Sequence, residues 1–326
     1  MKIVTAYNMA LADEPLTMMR EVAEVVSPRD ESEGSLIEAV RDADSLLVDV
    51  HPAVPRRVFE AAAKLKHVGR MGIGVDTVDL KAATDHGVMV TNVPDASSDT
   101  VAEFTLAMLL ALARHITWCD RAVHTGHWHD RLELISINTD LFGKTHGVIG
   151  MGRIGGRVAI RCKAFGMKVV YYDKRSPDLD FDREHGVEYW PLDKLLREAD
   201  TISLHTPLTA ETRNLLGRPQ FETMKRTALV VNQSRGKVVN EKDLVEALRE
   251  GLIAGYATDV YDTEPPNPDS ELMKLPNVFL SPHLAGLTRD SRLRLGLSIA
   301  RDAIQVLRGE VPKNLVNKEV LARLRR

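Results

Sequence analysis

A pair of doubly wound α/β domains, one inserted into the other, is the fold this 326-residue sequence predicts. Three observations carry the prediction. Many strand-like runs are nearly continuous Val, Ile, Leu and Ala, as expected of parallel strands covered by helices on both faces. Helical segments alternate with those runs along the chain, supplying the crossovers that parallel strands require. A glycine-rich loop, Gly150-Met151-Gly152-Arg153-Ile154-Gly155, lies in mid-chain, with a complete α/β segment ahead of it.

In order, strands are expected at Lys2 to Tyr7, Ser45 to Val50, His67 to Arg70 and Val88 to Asn92. Helices are expected at Leu36 to Arg41, Val54 to Lys64 and Val78 to His86, with Gly87 ending the last. After the long helix Thr100 to Arg114 and the glycine loop, strands follow at Lys168 to Asp173, Thr201 to His205, Ala228 to Asn232, Ile253 to Thr258 and Val278 to Leu280. A helix from Ser291 to Leu307 closes the pattern and returns the chain to the first domain. The expected division is residues 1–98 and 287–326 for the outer domain and 99–286 for the inserted one. The patch Glu264-Pro265-Pro266-Asn267-Pro268 reads as a turn, and paired crossings between domains would form a hinge beside a cleft.

Composition narrows the class. Hydrophobic residues make up 44% and charged residues 27%, the balance of a globular protein, and aromatics at 5% leave an aliphatic core. A net charge of -3 offers no general attraction to nucleic acid or acidic lipid. Phe104 to Ala113, the most membrane-like stretch, is too short to span a bilayer. Met1-Lys2-Ile3-Val4 enters a strand directly, without signal-peptide architecture. Cys119 and Cys162 lack CxxC spacing, so a reduced, cytoplasmic protein is expected. Arg323, Arg325 and Arg326 read as a solvated helix end.

The glycine loop specifies a ligand. Gly147-Val148-Ile149 enters it, and Ile154, Val158, Ile160 and Phe165 follow at spacings that suit a buried helix face. Gly150 permits the tight turn, Gly152 lets backbone approach a pyrophosphate, and Gly155 seats the helix on the strand. The first helical amides then face the anion with the positive end of the helix dipole behind them. Asp173, about 20 residues on, can accept hydrogen bonds from the adenosine ribose, which favours NAD over NADP. Lys174 and Arg175 complicate that preference, because arginine commonly accommodates a 2'-phosphate, although Asp173 would repel it.

Three further residues lie beyond expected strand ends: Arg235, Glu264 and His283. Ligands of open parallel sheets lie outside the strands' carboxyl ends, so one site could use all three. Hydride exchange with a 2-oxo acid requires what they supply. An arginine fork binds carboxylate and polarises carbonyl, a histidine moves the hydroxyl proton, and an adjacent carboxylate orients the ring and favours imidazolium. Singly, each has a bland reading as loop cation, surface acid or core histidine; their joint placement favours chemistry.

At this point the chain resembles, nearly end to end, the D-isomer-specific 2-hydroxyacid dehydrogenase family. The residues that carry the likeness are Gly69-Arg70-Met71-Gly72-Ile73-Gly74-Val75-Asp76, Val101-Ala102-Glu103-Phe104, the glycine loop with Asp173, and His205-Thr206-Pro207-Leu208. They continue through Asn232-Gln233-Ser234-Arg235-Gly236, Asp259-Val260 with Glu264-Pro265, and Pro282-His283. The resemblance implies a Rossmann NAD-binding domain inserted into a flavodoxin-like substrate domain, and a catalytic trio of Arg235, Glu264 and His283. It implies that amides near Ile73 and Gly74 bind the substrate carboxylate, beside Arg70. Arg153, Ile154, Thr206, Pro207, Thr212, Ser234 and Asp259 would line the cofactor site, with Val101 near the nicotinamide; Asp259 reads equally as a strand-end cap. A homodimer is implied too, with an arm from about Thr117 to Asn138 whose Trp118, Trp128, Leu132, Leu134 and Ile135 would be costly to expose.

Rival readings are weaker. His124, His127 and His129 lack a completing carboxylate or cysteine pattern for a metal, and no GxSxG elbow marks a hydrolase. Arg114-His115-Ile116-Thr117-Trp118 and Lys163-Ala164-Phe165-Gly166 resemble C-terminal binding proteins, which makes an NAD(H)-responsive corepressor or scaffold the alternative function. For substrate, Val48-Asp49-Val50-His51 stands where phosphoglycerate dehydrogenases commonly put a basic residue, so glyoxylate, hydroxypyruvate or another unphosphorylated 2-oxo acid is expected. Arg70 and His51 keep an anionic tail open as a further option.

Overall fold

The computed structural model describes residues 1–6, 9 and 11–324. Tyr7, at the end of the first expected strand, and the terminal Arg325 and Arg326 lie outside the described residues. The chain divides into two compact units, Met1–Ser97 with Leu287–Arg326, and Ser98–Gly286.

The first unit contains β1 (Lys2–Thr5), α1 (Asp13–Arg20), β2 (Glu24–Val26), α2 (Glu33–Val40), β3 (Ser45–Val48), α3 (Arg56–Ala61), β4 (His67–Arg70), α4 (Leu80–Asp85) and β5 (Met89–Asn92). Its strands form one parallel sheet in the order β2-β1-β3-β4-β5, which is the flavodoxin-like order. Alternation along each strand feeds two cores. Val4, Leu46 and Val48 pack with Leu36, Val58 and Ala82, while Ile3 and Leu47 pack with Met19, Leu295 and Ile299.

The second unit begins with α5 (Ser98–Arg114), α6 (Ile116–His124) and α7 (Arg131–Ile137). It continues through β6 (Thr145–Ile149), α8 (Arg153–Ala164), β7 (Lys168–Tyr172), α9 (Leu179–His185), β8 (Glu188–Tyr189), α10 (Leu192–Glu198) and β9 (Thr201–Leu204). Then come α11 (Arg218–Thr223), β10 (Leu229–Asn232), α12 (Glu241–Arg249), β11 (Gly255–Thr258) and β12 (Val278–Leu280). The sheet order β12-β11-β10-β9-β6-β7-β8, all parallel, is the Rossmann order with one extra edge strand, and its direction reverses at β6/β9. Val148, Val169 and Val231 face one core, and Ile149, Val170 and Val230 the other. Finally α13 (Arg289–Leu307) returns to the first unit, where Leu295, Ile299 and Ala303 join the core of Ile3 and Leu47.

The expected fold class is therefore the observed one. Strands β2 and β8 were not expected, because Glu24-Val25-Val26 and Glu188-Tyr189 are too short to show periodicity. The buried face of α8 also differs from the sequence reading. Ile160 and Phe165 are 41% and 43% exposed, whereas Gly155, Val158, Ala159 and Cys162 are buried. Small residues on that face let the helix approach the sheet, and the larger Ile160 falls on the opposite side.

Each sheet buries a histidine. His67 joins Ser45 (Nδ1, 2.9 Å) to Thr91 (Nε2, 2.9 Å), and His146 joins Thr201 (Nδ1, 2.7 Å) to Ser203 (Nε2, 3.0 Å). Burial pushes the pKa of His67 down to about 3 and that of His146 to about 4, so both rings stay neutral.

Candidate active site

The glycine loop leaves β6 at its carboxyl end. Gly150 has φ +100°, and a Cβ there would stand 2.8 Å from the backbone of His205, so the turn after β6 presses against the segment following β9. Behind it runs a chain of neutral groups, His146–Ser203–His205, whose last link is His205 Nε2 to Ser203 Oγ at 2.8 Å. Burial pushes His205 down to about 3, and a proton on His146 would oppose its protonation further. Thr212 braces the same segment, donating from Oγ1 to Pro207 O at 2.6 Å.

Helix α8 starts at Arg153 and Ile154 with Gly152 as its N-cap, which offers no side-chain cap and no atom within 4 Å of its would-be Cβ. No side chain caps the first turn of the helix, and the buried Thr206 Oγ1 has no hydrogen-bond partner among the described residues. Asp173, just past β7, accepts from Met151 N–H at 2.8 Å. Burial alone would raise the pKa of Asp173, but hydrogen bonds and charge from Arg175, with the Met151 amide, outweigh it and hold the carboxyl below its usual range. A helix N-terminus without a side-chain cap, a backbone turn closed to side chains and an ionised strand-end carboxylate fit a dinucleotide.

Arg235, Glu264 and His283 follow β10, β11 and β12, three neighbouring strands paired Asn232↔Thr258 and Thr258↔Leu280 at their ends. His283 Nδ1 lies 2.6 Å from Glu264 Oε2, and Glu264 Oε1 accepts from Tyr261 N–H at 3.0 Å. Tyr261 Oη donates to Ser281 O at 2.8 Å, tying the second loop to the third. Gly236 ties the first to the second, since a Cβ there would fall 2.0 Å from the carbonyl carbon of Tyr261. Asn232 shapes the arginine loop, donating to Arg235 O (3.0 Å) and accepting from Ser234 N–H (3.0 Å) and Oγ (2.8 Å). One prong of Arg235 donates to Ser234 O at 2.7 Å.

His283 has φ +54°, a left-handed conformation that L-residues other than Asn and Asp seldom adopt. What holds it is Asp259, 1% exposed, whose two carboxylate oxygens each accept a backbone N–H at 2.8 Å, from Leu284 and Ala285. Asp259 thus caps the histidine loop. Ser234 and Val101 are both buried, Val101 on the first turns of α5.

In the first unit, Arg70 at the end of β4 is 7% exposed, donates to Met71 O at 2.7 Å and stands 3.7 Å from Asp49. Asn92 donates to Ile73 O at 2.7 Å. A trans peptide sets C=O and N–H in opposite directions, so Gly74 N–H points away from Asn92.

Sequence reasoning assigned no role to Asn92, Asn232, Tyr261 or the His146–Ser203–His205 chain, although Asn232 and His205 lie in motifs that carry the family likeness. Asn92 and Asn232 had a readable signal, a polar amide at the carboxyl end of an apolar strand. Tyr261 had none, because its role depends on contacts between loops. His124 pairs with Asp120 at 3.5 Å and His127 with Thr125 at 2.8 Å; among the described residues no group of three or more His, Cys, Asp or Glu could hold a metal. Among them, too, no single helix is long and apolar enough to cross a membrane.

The chain is similar to known proteins. Residues 106–285 match the family model described as D-isomer specific 2-hydroxyacid dehydrogenase, NAD binding domain. A glyoxylate reductase of Korarchaeum cryptofilum is 46% identical over 88% of this chain and 86% of its own length. A D-3-phosphoglycerate dehydrogenase of Methanocaldococcus jannaschii is 42% identical over 94% of this chain, but over only 58% of its own. A solved structure of a Thermus thermophilus protein superposes with a TM-score of 0.89 at 37% identity, covering 97% of this chain and all of that one. The chain belongs to the D-isomer-specific 2-hydroxyacid dehydrogenase family and is an NAD-dependent oxidoreductase of that family.

Proposed function

We propose that the chain interconverts a small, unphosphorylated 2-oxo acid and its D-2-hydroxy acid, with glyoxylate or hydroxypyruvate the first candidates. The observation that carries this is the 2.6 Å contact of His283 Nδ1 with Glu264, which leaves Nε2 to exchange a proton with substrate. Bound NAD(H) supplies or accepts the hydride at nicotinamide C4. In reduction, the His283 imidazolium gives its Nε2 proton to the oxygen developing at C2, and Glu264 stabilises the charged ring beforehand and orients it. Arg235 pairs with the substrate carboxylate and polarises the carbonyl; Asp259 keeps His283 in its strained turn and is also a candidate acceptor for the nicotinamide amide. The amides at Ile73 and Gly74, with Arg70, are proposed to bind substrate, and residues 99–286 to form the cofactor domain. There Gly150, Gly152, Arg153, Ile154 and Gly155 would hold pyrophosphate, and Thr206, Pro207, Thr212, Ser234 and Val101 would complete the pocket.

Asp49 beside Arg70 supports the unphosphorylated reading, since it offsets the cation that a phosphate would seek and repels the phosphate itself. The name of the Korarchaeum relative points the same way. NAD is proposed over NADP because Asp173 is ionised at the ribose position. The relatives' enzyme names favour turnover over a corepressor or scaffold. Initial rates with glyoxylate, hydroxypyruvate and 3-phosphohydroxypyruvate, each with NADH and NADPH, test all of this. The expected order puts the unphosphorylated acids with NADH first; tight NADH binding without turnover on any 2-oxo acid would favour the scaffold instead.

A homodimer is also proposed, because the 117–138 arm leaves Trp128, Leu132 and Ile135 exposed at 60%, 70% and 69%. Light scattering should give twice the chain mass, and a monomer at micromolar concentration would contradict it.

A further inference from the structure

The carboxylate read as the ribose acceptor is already engaged. Asp173 Oδ1 accepts from Arg175 N–H (2.8 Å) and Nε (3.1 Å), and Oδ2 from Met151 N–H (2.8 Å) and Arg175 Nη2 (2.9 Å). A carboxylate has about four lone-pair sites, so a ribose must displace something. The two backbone donors are fixed by the loop. The other two belong to one guanidinium, 69% exposed, whose Nη2 also reaches Met151 O at 3.0 Å and so straps the strand-end acid to the glycine loop. Its paired N–H groups present the fork of donors that the two ribose hydroxyls would present. Lys174, the neighbouring cation, is turned to Glu211 at 2.6 Å instead.

We propose that Arg175 is a latch on the adenosine subsite, closed on Asp173 without cofactor and displaced by the ribose, and that it narrows this enzyme's discrimination between NAD and NADP. The inference rests on the NAD reading above. NADH must open the latch and leaves the guanidinium to water. NADPH opens it too, but its 2'-phosphate gives the displaced guanidinium a charge-assisted partner and offsets the repulsion by Asp173. Arg175 therefore works against the cofactor that Asp173 favours.

Removing the side chain separates the two effects. For Arg175→Ala, equilibrium titration by nicotinamide fluorescence or calorimetry should show NADH binding about two- to fivefold tighter, the gain expected from releasing an exposed ion pair. NADPH binding should weaken about tenfold, so that the ratio of the two Kd values widens. Arg175→Lys, which keeps the charge without the fork, should tighten NADH and retain most of the NADPH affinity. Unchanged Kd values for both cofactors in Arg175→Ala, or weaker NADH binding, would overturn the latch. NADPH binding tighter than NADH in the unaltered protein would overturn the NAD reading instead, and the direction of change in Arg175→Ala would still decide the latch.

Discussion

His283→Asn should lower kcat for a 2-oxo acid about a thousandfold while leaving the NADH Kd within about twofold, since general acid–base catalysis contributes on the order of 10² to 10⁴. Asparagine suits this test because position 283 sits at φ +54°, where an alanine would add backbone strain, and Asn tolerates that region. Its amide can also donate to Glu264, so the loop held by Asp259 should persist. What disappears is the second ring nitrogen, the proton carrier. Stopped-flow turnover and an NADH titration on one preparation check the pair of effects. Wild-type kcat in this variant would remove His283 from the mechanism, and loss of NADH binding along with turnover would mean that the substitution had damaged the cofactor site.

Arg235→Lys should cost about a hundredfold in kcat/KM for the same acid, again with NADH binding preserved. The guanidinium donates from Nη1 to Ser234 O at 2.7 Å, and in the proposed mechanism its planar fork aligns carboxylate and carbonyl. An ammonium retains the charge but cannot hold the Ser234 carbonyl and a planar bidentate geometry together. The loop itself is shaped by Asn232, which the substitution leaves alone, so a folding defect is not the expected cause. Steady-state kinetics across substrate concentration provide the readout. Unchanged kcat/KM would show that charge alone suffices and that the fork has no role in alignment.

Most strand positions, and the polar residues standing just beyond the strand ends, were legible in the sequence for one physical reason. Parallel strands covered on both faces must be nearly all apolar, as in Val230-Val231, so a polar or charged residue just beyond the run, such as Arg235, stands out. Asp173 was legible by its distance from the glycine loop. Tertiary contact hid other features. Nothing in a linear reading shows that Arg175 folds back onto Asp173 and Met151, that Asp259 spends both oxygens on the histidine loop, or that Tyr261 joins two loops. The face of α8 was read from the spacing of its apolar residues, which holds for Ile154 and Val158 but not for Ile160 and Phe165. A helix over a glycine turn buries its small residues, Gly155 and Ala159, and leaves Ile160 outside.

The proposed reaction passes hydride between nicotinamide C4 and C2 of a 2-oxo acid. NADH deuterated at C4 on the transferred face, incubated with enzyme and glyoxylate, measures it directly by mass spectrometry of the product. One deuterium at C2 of glycolate is expected for each NADH oxidised. NADH oxidised with no deuterium in glycolate, or no oxidation with glyoxylate or any other 2-oxo acid, would contradict it.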